Sequence, residues 1–75
     1  MRPPLTGSFE EFESWIRTTI GGDFEWNNRL EDSVAARRMI ASLVENLMAR
    51  NDGVFPEDSY FIRRRKRGRR PPRAE

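Results

Sequence analysis

The chain has no cysteine and no histidine. Without thiols, no disulfide framework staples the fold, and their absence fits a reducing compartment. Without Cys or His, the usual zinc ligands are missing, so no metal and no cofactor is expected. The same absences remove the commonest general base and a ready nucleophile. No glycine-rich phosphate loop stands in for them, so no catalytic residue is assigned and the chain is not expected to be an enzyme. No apolar run approaches the roughly 20 residues that cross a bilayer, so no membrane partner is expected. The opening "MRPPLTGSFEEFE" lacks the apolar stretch of a signal peptide and is too acidic for a transit peptide. An intact cytoplasmic and/or nuclear protein beginning at its own Met1 is the expectation.

What is present is small and sharply divided in charge. Seventy-five residues allow one domain at most. A chain of that size buries too little surface to be comfortably stable alone. A compact helical core, a partner or self-association must supply the rest. Residues 1–62 carry six arginines against eleven carboxylates, a balance of −5. Residues 63–75 carry seven arginines and one lysine against one glutamate, a balance of +7. A block like the second repels itself and builds no core, so it is expected to be a disordered arm. The expected domains are therefore an acidic helical core over 1–62 and an arginine-rich arm over 63–75.

The core reads as two helices. Ser8 and Glu11 stand in capping-box register, and Glu10, Glu11 and Glu13 sit where the helix dipole favours negative charge. Phe9, Phe12, Ile16 and Ile20 follow in steps of three and four, and Gly21–Gly22 supplies the stop. The first helix is expected over 9–20. The next start has two candidates. Asp23 can cap a helix from Phe24, or Asn28 can cap one from Arg29 with Glu31 as its box partner; the later start is preferred, leaving Phe24 and Trp26 as apolar plugs in the connection. Leu30, Val34, Met39, Ile40, Leu43, Val44, Leu47 and Met48 then recur at helical spacing up to the stop at "NDG", residues 51–53. The second helix is expected over 29–50. Pro56 opens a short turn or helix over 57–62. No strand is expected, and the fold class is all-α: a helical hairpin.

Helix two is about twice as long as helix one, so part of its apolar face is left uncovered. Exposed faces of that kind mark partners. The eight apolar residues named above are taken as a dimerisation surface joining two hairpins into a four-helix arrangement.

The arm invites a polyanion. Arg63, Arg64, Arg65, Lys66, Arg67, Arg69, Arg70 and Arg73 are its cations. Each guanidinium offers a planar fork of donors that matches phosphate oxygens. Arg37 and Arg38, beside the apolar face of helix two, are candidates for a second phosphate contact or for ion pairs within the protein. Trp15 and Trp26 are read as core. Tyr60 and Phe61 stand just before the run, and one of them, with Tyr60 preferred, is the candidate for stacking on a base.

The run "RRRKRGRR" resembles the arginine-rich peptides of viral RNA-binding proteins, which fold on their RNA. The resemblance covers about eight residues. It implies RNA binding; together with the apolar face of helix two and the missing catalytic residue types, the expectation is a non-catalytic, homodimeric nucleic-acid-binding protein, with RNA favoured over DNA and double-stranded RNA favoured over single. A viral accessory factor such as an RNA-silencing suppressor would suit this make-up. Nodaviral suppressors share the plan of dimeric helices on RNA, an analogy of architecture alone. The alternative is an adaptor that grips a protein partner through helix two and residues 54–62. "RRKR" at 64–67 would then serve as a nuclear localisation signal.

Overall fold

The computed structural model of the chain describes residues 2–65. Four elements follow in order: helix α1 (Phe9–Ile20), strand β1 (Phe24–Trp26), helix α2 (Val34–Arg50) and strand β2 (Ile62–Arg64). The two strands form an antiparallel sheet with Phe24 opposite Arg64, Glu25 opposite Arg63 and Trp26 opposite Ile62. The fold is therefore not all-α.

α1 forms where its capping residues place it. Ser8 is extended, and its Oγ accepts from the Glu11 N–H at 3.2 Å. Gly21 closes the helix at φ +80°, a conformation that glycine adopts without a Cβ clash, and its N–H donates to the Arg17 carbonyl at 2.9 Å. Phe12, Trp15, Ile16 and Ile20 are buried along one face.

α2 begins at Val34, five residues later than the spacing of apolar residues predicts. Ser33 is its cap, with Oγ accepting from the Ala36 N–H at 3.1 Å. The residues before it have other bonds to make. Asn28, the expected cap, donates its side-chain amide to the Tyr60 carbonyl at 2.7 Å. Asp32 turns onto Arg37, five positions on, a spacing that lies off one helical face. α2 buries Arg37, Ile40, Ala41 and Val44.

The strands were missed because each is three residues long, too short for a two-residue period to stand out. The alternation is nonetheless present: Phe24 and Ile62 are buried, while Arg63 between Ile62 and Arg64 is exposed. A two-stranded sheet is marginal by itself. Here Phe24 and Ile62 join Phe12, Ile16, Ile40, Val44, Phe55 and Phe61 in one core, so burial holds the sheet. Residues 57–62 form no helix. The Arg64 N–H donates to the Glu57 carbonyl at 3.0 Å, and Asp58 bridges to Arg63, which places this stretch on the other side of β2.

The N-terminal lead is clasped by the buried Arg37, which is 3% exposed. Its guanidinium grips Asp32 with two bonds, Nε to Oδ1 at 2.7 Å and Nη2 to Oδ2 at 3.0 Å. Nη1 donates to the Pro4 carbonyl at 3.0 Å and Nη2 to the Gly7 carbonyl at 2.9 Å. The cation also lies over the rings of Phe9 and Phe12, at 5.6 and 5.7 Å.

Candidate nucleic-acid interface

The first cations of the basic run are part of the fold. Arg63 and Arg64 lie in β2, and the Arg65 N–H donates to the Asp23 carbonyl at 3.0 Å. The folded unit thus runs through Arg65 rather than ending at Ile62. Lys66, Arg67, Arg69, Arg70 and Arg73 lie outside the described residues, and with them the expected free arm.

The strand pleat sorts the three arginines, because successive side chains point to opposite faces. Arg63 and Arg65 are exposed, while Arg64 is half-buried and sends Nη1 toward the Phe55 carbonyl at 3.4 Å. On the outer face the cations meet carboxylates of β1 and its approach. Arg63 Nε lies 3.7 Å from Glu25 Oε2. Arg65 lies 3.8 Å from both Asp23 Oδ2 and Glu25 Oε1. These distances exceed the 2.7–2.9 Å typical of charge-assisted hydrogen bonds. The cations are therefore near counter-charges without being locked to them. Asp23 is held more firmly by Arg17, whose Nε donates to Oδ1 at 2.9 Å and whose cation lies over the Phe24 ring at 5.4 Å. The Arg17 hydrogen bond, then the Phe24 N–H, holds the Asp23 carboxyl below its ordinary range; the nearby Arg65 and Arg17 charges add to this, and desolvation opposes it.

Beside this strip the chain turns at residues 59–62. The Ser59 N–H donates to the Ile62 carbonyl at 2.9 Å, the Ser59 hydroxyl donates to that carbonyl at 2.8 Å, and the Ile62 N–H donates to Ser59 Oγ at 3.1 Å. Two asparagines just after β1 brace the turn. Asn27 donates to the Ser59 carbonyl and to Asp58, and Asn28 donates to the Tyr60 carbonyl. Tyr60 stands at the tip, 85% exposed.

The remaining candidates divide. Arg37 is not at a phosphate-facing surface: its donors are spent on Asp32, Pro4 and Gly7 inside the protein. Arg38, next to it, is exposed. Of the expected dimer face, Ile40 and Val44 are buried in the chain's own core, and Leu30, Leu47 and Met48 pack against it. Val34, Met39 and Leu43 remain exposed. Phe55, Phe61 and Ile62 are also core, so residues 54–62 offer a partner only Val54 and Tyr60 as large exposed apolar side chains. Trp15 is buried, and half-buried Trp26 stacks on Phe9 while donating Nε1 to Glu13 at 2.8 Å.

Sequence reasoning offered Arg37 an ion pair within the protein but named neither Asp32 nor the carbonyls of Pro4 and Gly7, and it missed the bracing of the turn by Asn27 and Asn28. The only signal for either was negative. An acid five residues before an arginine and a pair of asparagines before a helix each fit a capping pattern as well as a long-range one.

Among the described residues no cluster of His, Cys, Asp or Glu could hold a metal ion, and no helix is long and apolar enough to cross a membrane. An open depression of about 290 Å³ lies between the lead and α1, lined by Arg2, Pro4, Glu11, Ser14, Trp15 and Thr18. Comparison of the chain with protein-family models, curated proteins and solved structures finds no match.

Proposed function

We propose that the chain is a non-catalytic nucleic-acid-binding protein that takes RNA in preference to DNA and grips it through the line of cations starting at Arg63. One observation supports this above the others. Arg63 and Arg65 line one exposed sheet face, and their side chains remain 53% and 54% exposed at 3.7–3.8 Å from their carboxylates. Exposed ion pairs contribute little, so a phosphate can replace a carboxylate there at small cost. The sequence then continues the line through Lys66, Arg67, Arg69, Arg70 and Arg73. Neutralising phosphates releases condensed counterions, which makes such binding strong at low salt and steeply salt dependent.

The protein acts as a homodimer in this reading, joined through Met39 and Leu43, which lie one turn apart on the exposed side of α2. Burying such side chains is worth roughly 1.5–3 kcal/mol each. Joining two copies presents two cationic segments to one duplex and raises their effective concentration without new contacts. The exposure of Met39, at 54%, also favours the second reading, in which α2 docks a different protein and the basic segment only directs the complex to the nucleus.

Salt titration of duplex RNA binding separates the two. The full chain is expected to lose affinity steeply between about 50 and 200 mM salt. Replacing the five cations from Lys66 to Arg73 by glutamine is expected to flatten the slope of log K against log salt by about 4. Light scattering on the complex is expected to find two protein chains. An unchanged slope in the variant would remove the cationic segment from the mechanism. Absence of RNA binding by the intact chain would leave the adaptor reading.

A further inference from the structure

We infer that Tyr60 is a stacking platform for an unpaired base, so that the ligand is RNA in which a bulge, loop or open end adjoins a duplex. This rests on the reading above and narrows its ligand class. A single exposed aromatic is ordinary on a protein surface. Tyr60 differs in how its backbone is held. Its carbonyl accepts from Asn28 at 2.7 Å, and the carbonyl of Ser59 before it accepts from Asn27 at 2.6 Å. The Phe61 carbonyl after it accepts from the Asn27 N–H at 2.8 Å, while the Phe61 ring is buried in the core. Two asparagine side chains and the Ser59 hydroxyl thus fix the turn whose tip carries a ring that is 85% exposed. A ring on a pinned backbone has only its side-chain rotation left to lose when something stacks on it.

The neighbours decide what stacks. Arg63 lies three residues on, in β2, with its side chain 53% exposed. The nearby acid, Asp58, already accepts at Oδ1 from Asn27 and from the Ser59 N–H. An exposed ring three residues before an exposed arginine fits a nucleotide, whose base offers a π-face and whose backbone offers the charge. In a continuous A-form duplex that face is shut inside the stack, and proteins contact phosphates and 2′-hydroxyls instead. A fully paired duplex therefore engages the cations alone. A duplex with an unpaired base engages the cations and the ring together.

The test compares a fully paired RNA hairpin with the same hairpin carrying one bulged 2-aminopurine. Full-length protein is expected to bind the bulged hairpin about tenfold more tightly and to change the fluorescence of the bulged base. Tyr60→Ala is expected to abolish both effects while binding the paired hairpin within about twofold of the parent. Tyr60→Phe, which keeps the ring, is expected to retain them. Equal affinity of the parent for both hairpins overturns the inference and leaves the cationic grip standing. A bulge preference that survives Tyr60→Ala also overturns it. Absence of salt-dependent binding to either hairpin overturns the inference and the underlying reading together.

Discussion

Arg37 and Arg63 carry the same side chain and meet the same kind of counter-charge, yet they occupy opposite situations. Arg37 is 3% exposed and makes four hydrogen bonds that tie the lead, Asp32 and α2 into one corner. Arg63 is half in water and stands 3.7 Å from Glu25. A buried cation stripped of water must be fully partnered, and removing it orphans the groups that it satisfied. A cation that keeps its water is free to change partner. The chain uses arginine structurally at one end of the fold and leaves it exchangeable at the other.

Arg37→Ala is expected to have the largest effect of any arginine change among the described residues. It leaves the Pro4 and Gly7 carbonyls without their donor and opens space between Phe9 and Phe12. The thermal midpoint is expected to fall by more than about 10 °C in a chain of this size. Arg63→Ala is expected to change stability by less than about 0.5 kcal/mol. Thermal unfolding followed by circular dichroism reads both. Similar losses in the two variants would break the contrast.

The contrast bears on what could be read before the structure was known. α1 was legible to the residue at both ends, because Ser8 and Gly21 act on their own backbone neighbours. The apolar period of α2 was legible too, but Ile40 and Val44, which the period alone assigns to a dimer face, lie in the chain's own core. What failed depended on distant residues. Asn28 looks like a cap until Tyr60 takes its amide. Arg37 looks like a surface cation until Pro4 and Gly7, thirty or more positions away, supply carbonyls. The basic run read as uniformly unstructured because charge density says nothing about Glu25, whose strand pairs with β2 from thirty-eight positions away at Arg63. For the candidate site, the cations and Tyr60 were candidates by residue type. The placement of Tyr60 on a braced turn, and of Arg63 and Arg65 on one sheet face, was not legible.

A smaller effect should appear in acid. Two hydrogen bonds from Arg37 hold the Asp32 carboxyl below its ordinary range, with the Arg37 charge adding and desolvation opposing. The folded pKa is depressed relative to about 3.9 in the unfolded chain. As pH falls the unfolded state therefore takes up the proton first, and stability drains away. The contribution is fully present above about pH 5 and is lost as pH drops through the folded value. Because Asp32 is 46% exposed, water screens the pair and the change is modest. Asp32→Asn is expected to unfold at a lower temperature at neutral pH and to converge on the parent as the solution is acidified. Parallel curves would mean that the ion pair contributes nothing to the clasp.

The smallest effect tests the exchangeable end. Glu25 faces Arg63 and Arg65 at 3.7 and 3.8 Å, so any phosphate arriving at those cations competes with its carboxylate. Two exposed charges at about 4 Å interact by roughly 1 kcal/mol in water, less with salt present. Glu25→Gln is therefore expected to tighten RNA binding by about two- to threefold. Removing any negative charge from the protein gives part of that gain, which makes Glu45→Gln, on the exposed side of α2, the necessary comparison. The gain at Glu25 should exceed the gain at Glu45 and shrink toward it as salt is raised. Equal gains would reduce the acidic strand to net charge. A loss of affinity at Glu25 would mean that the carboxylate orients the two arginines for their ligand rather than competing with it.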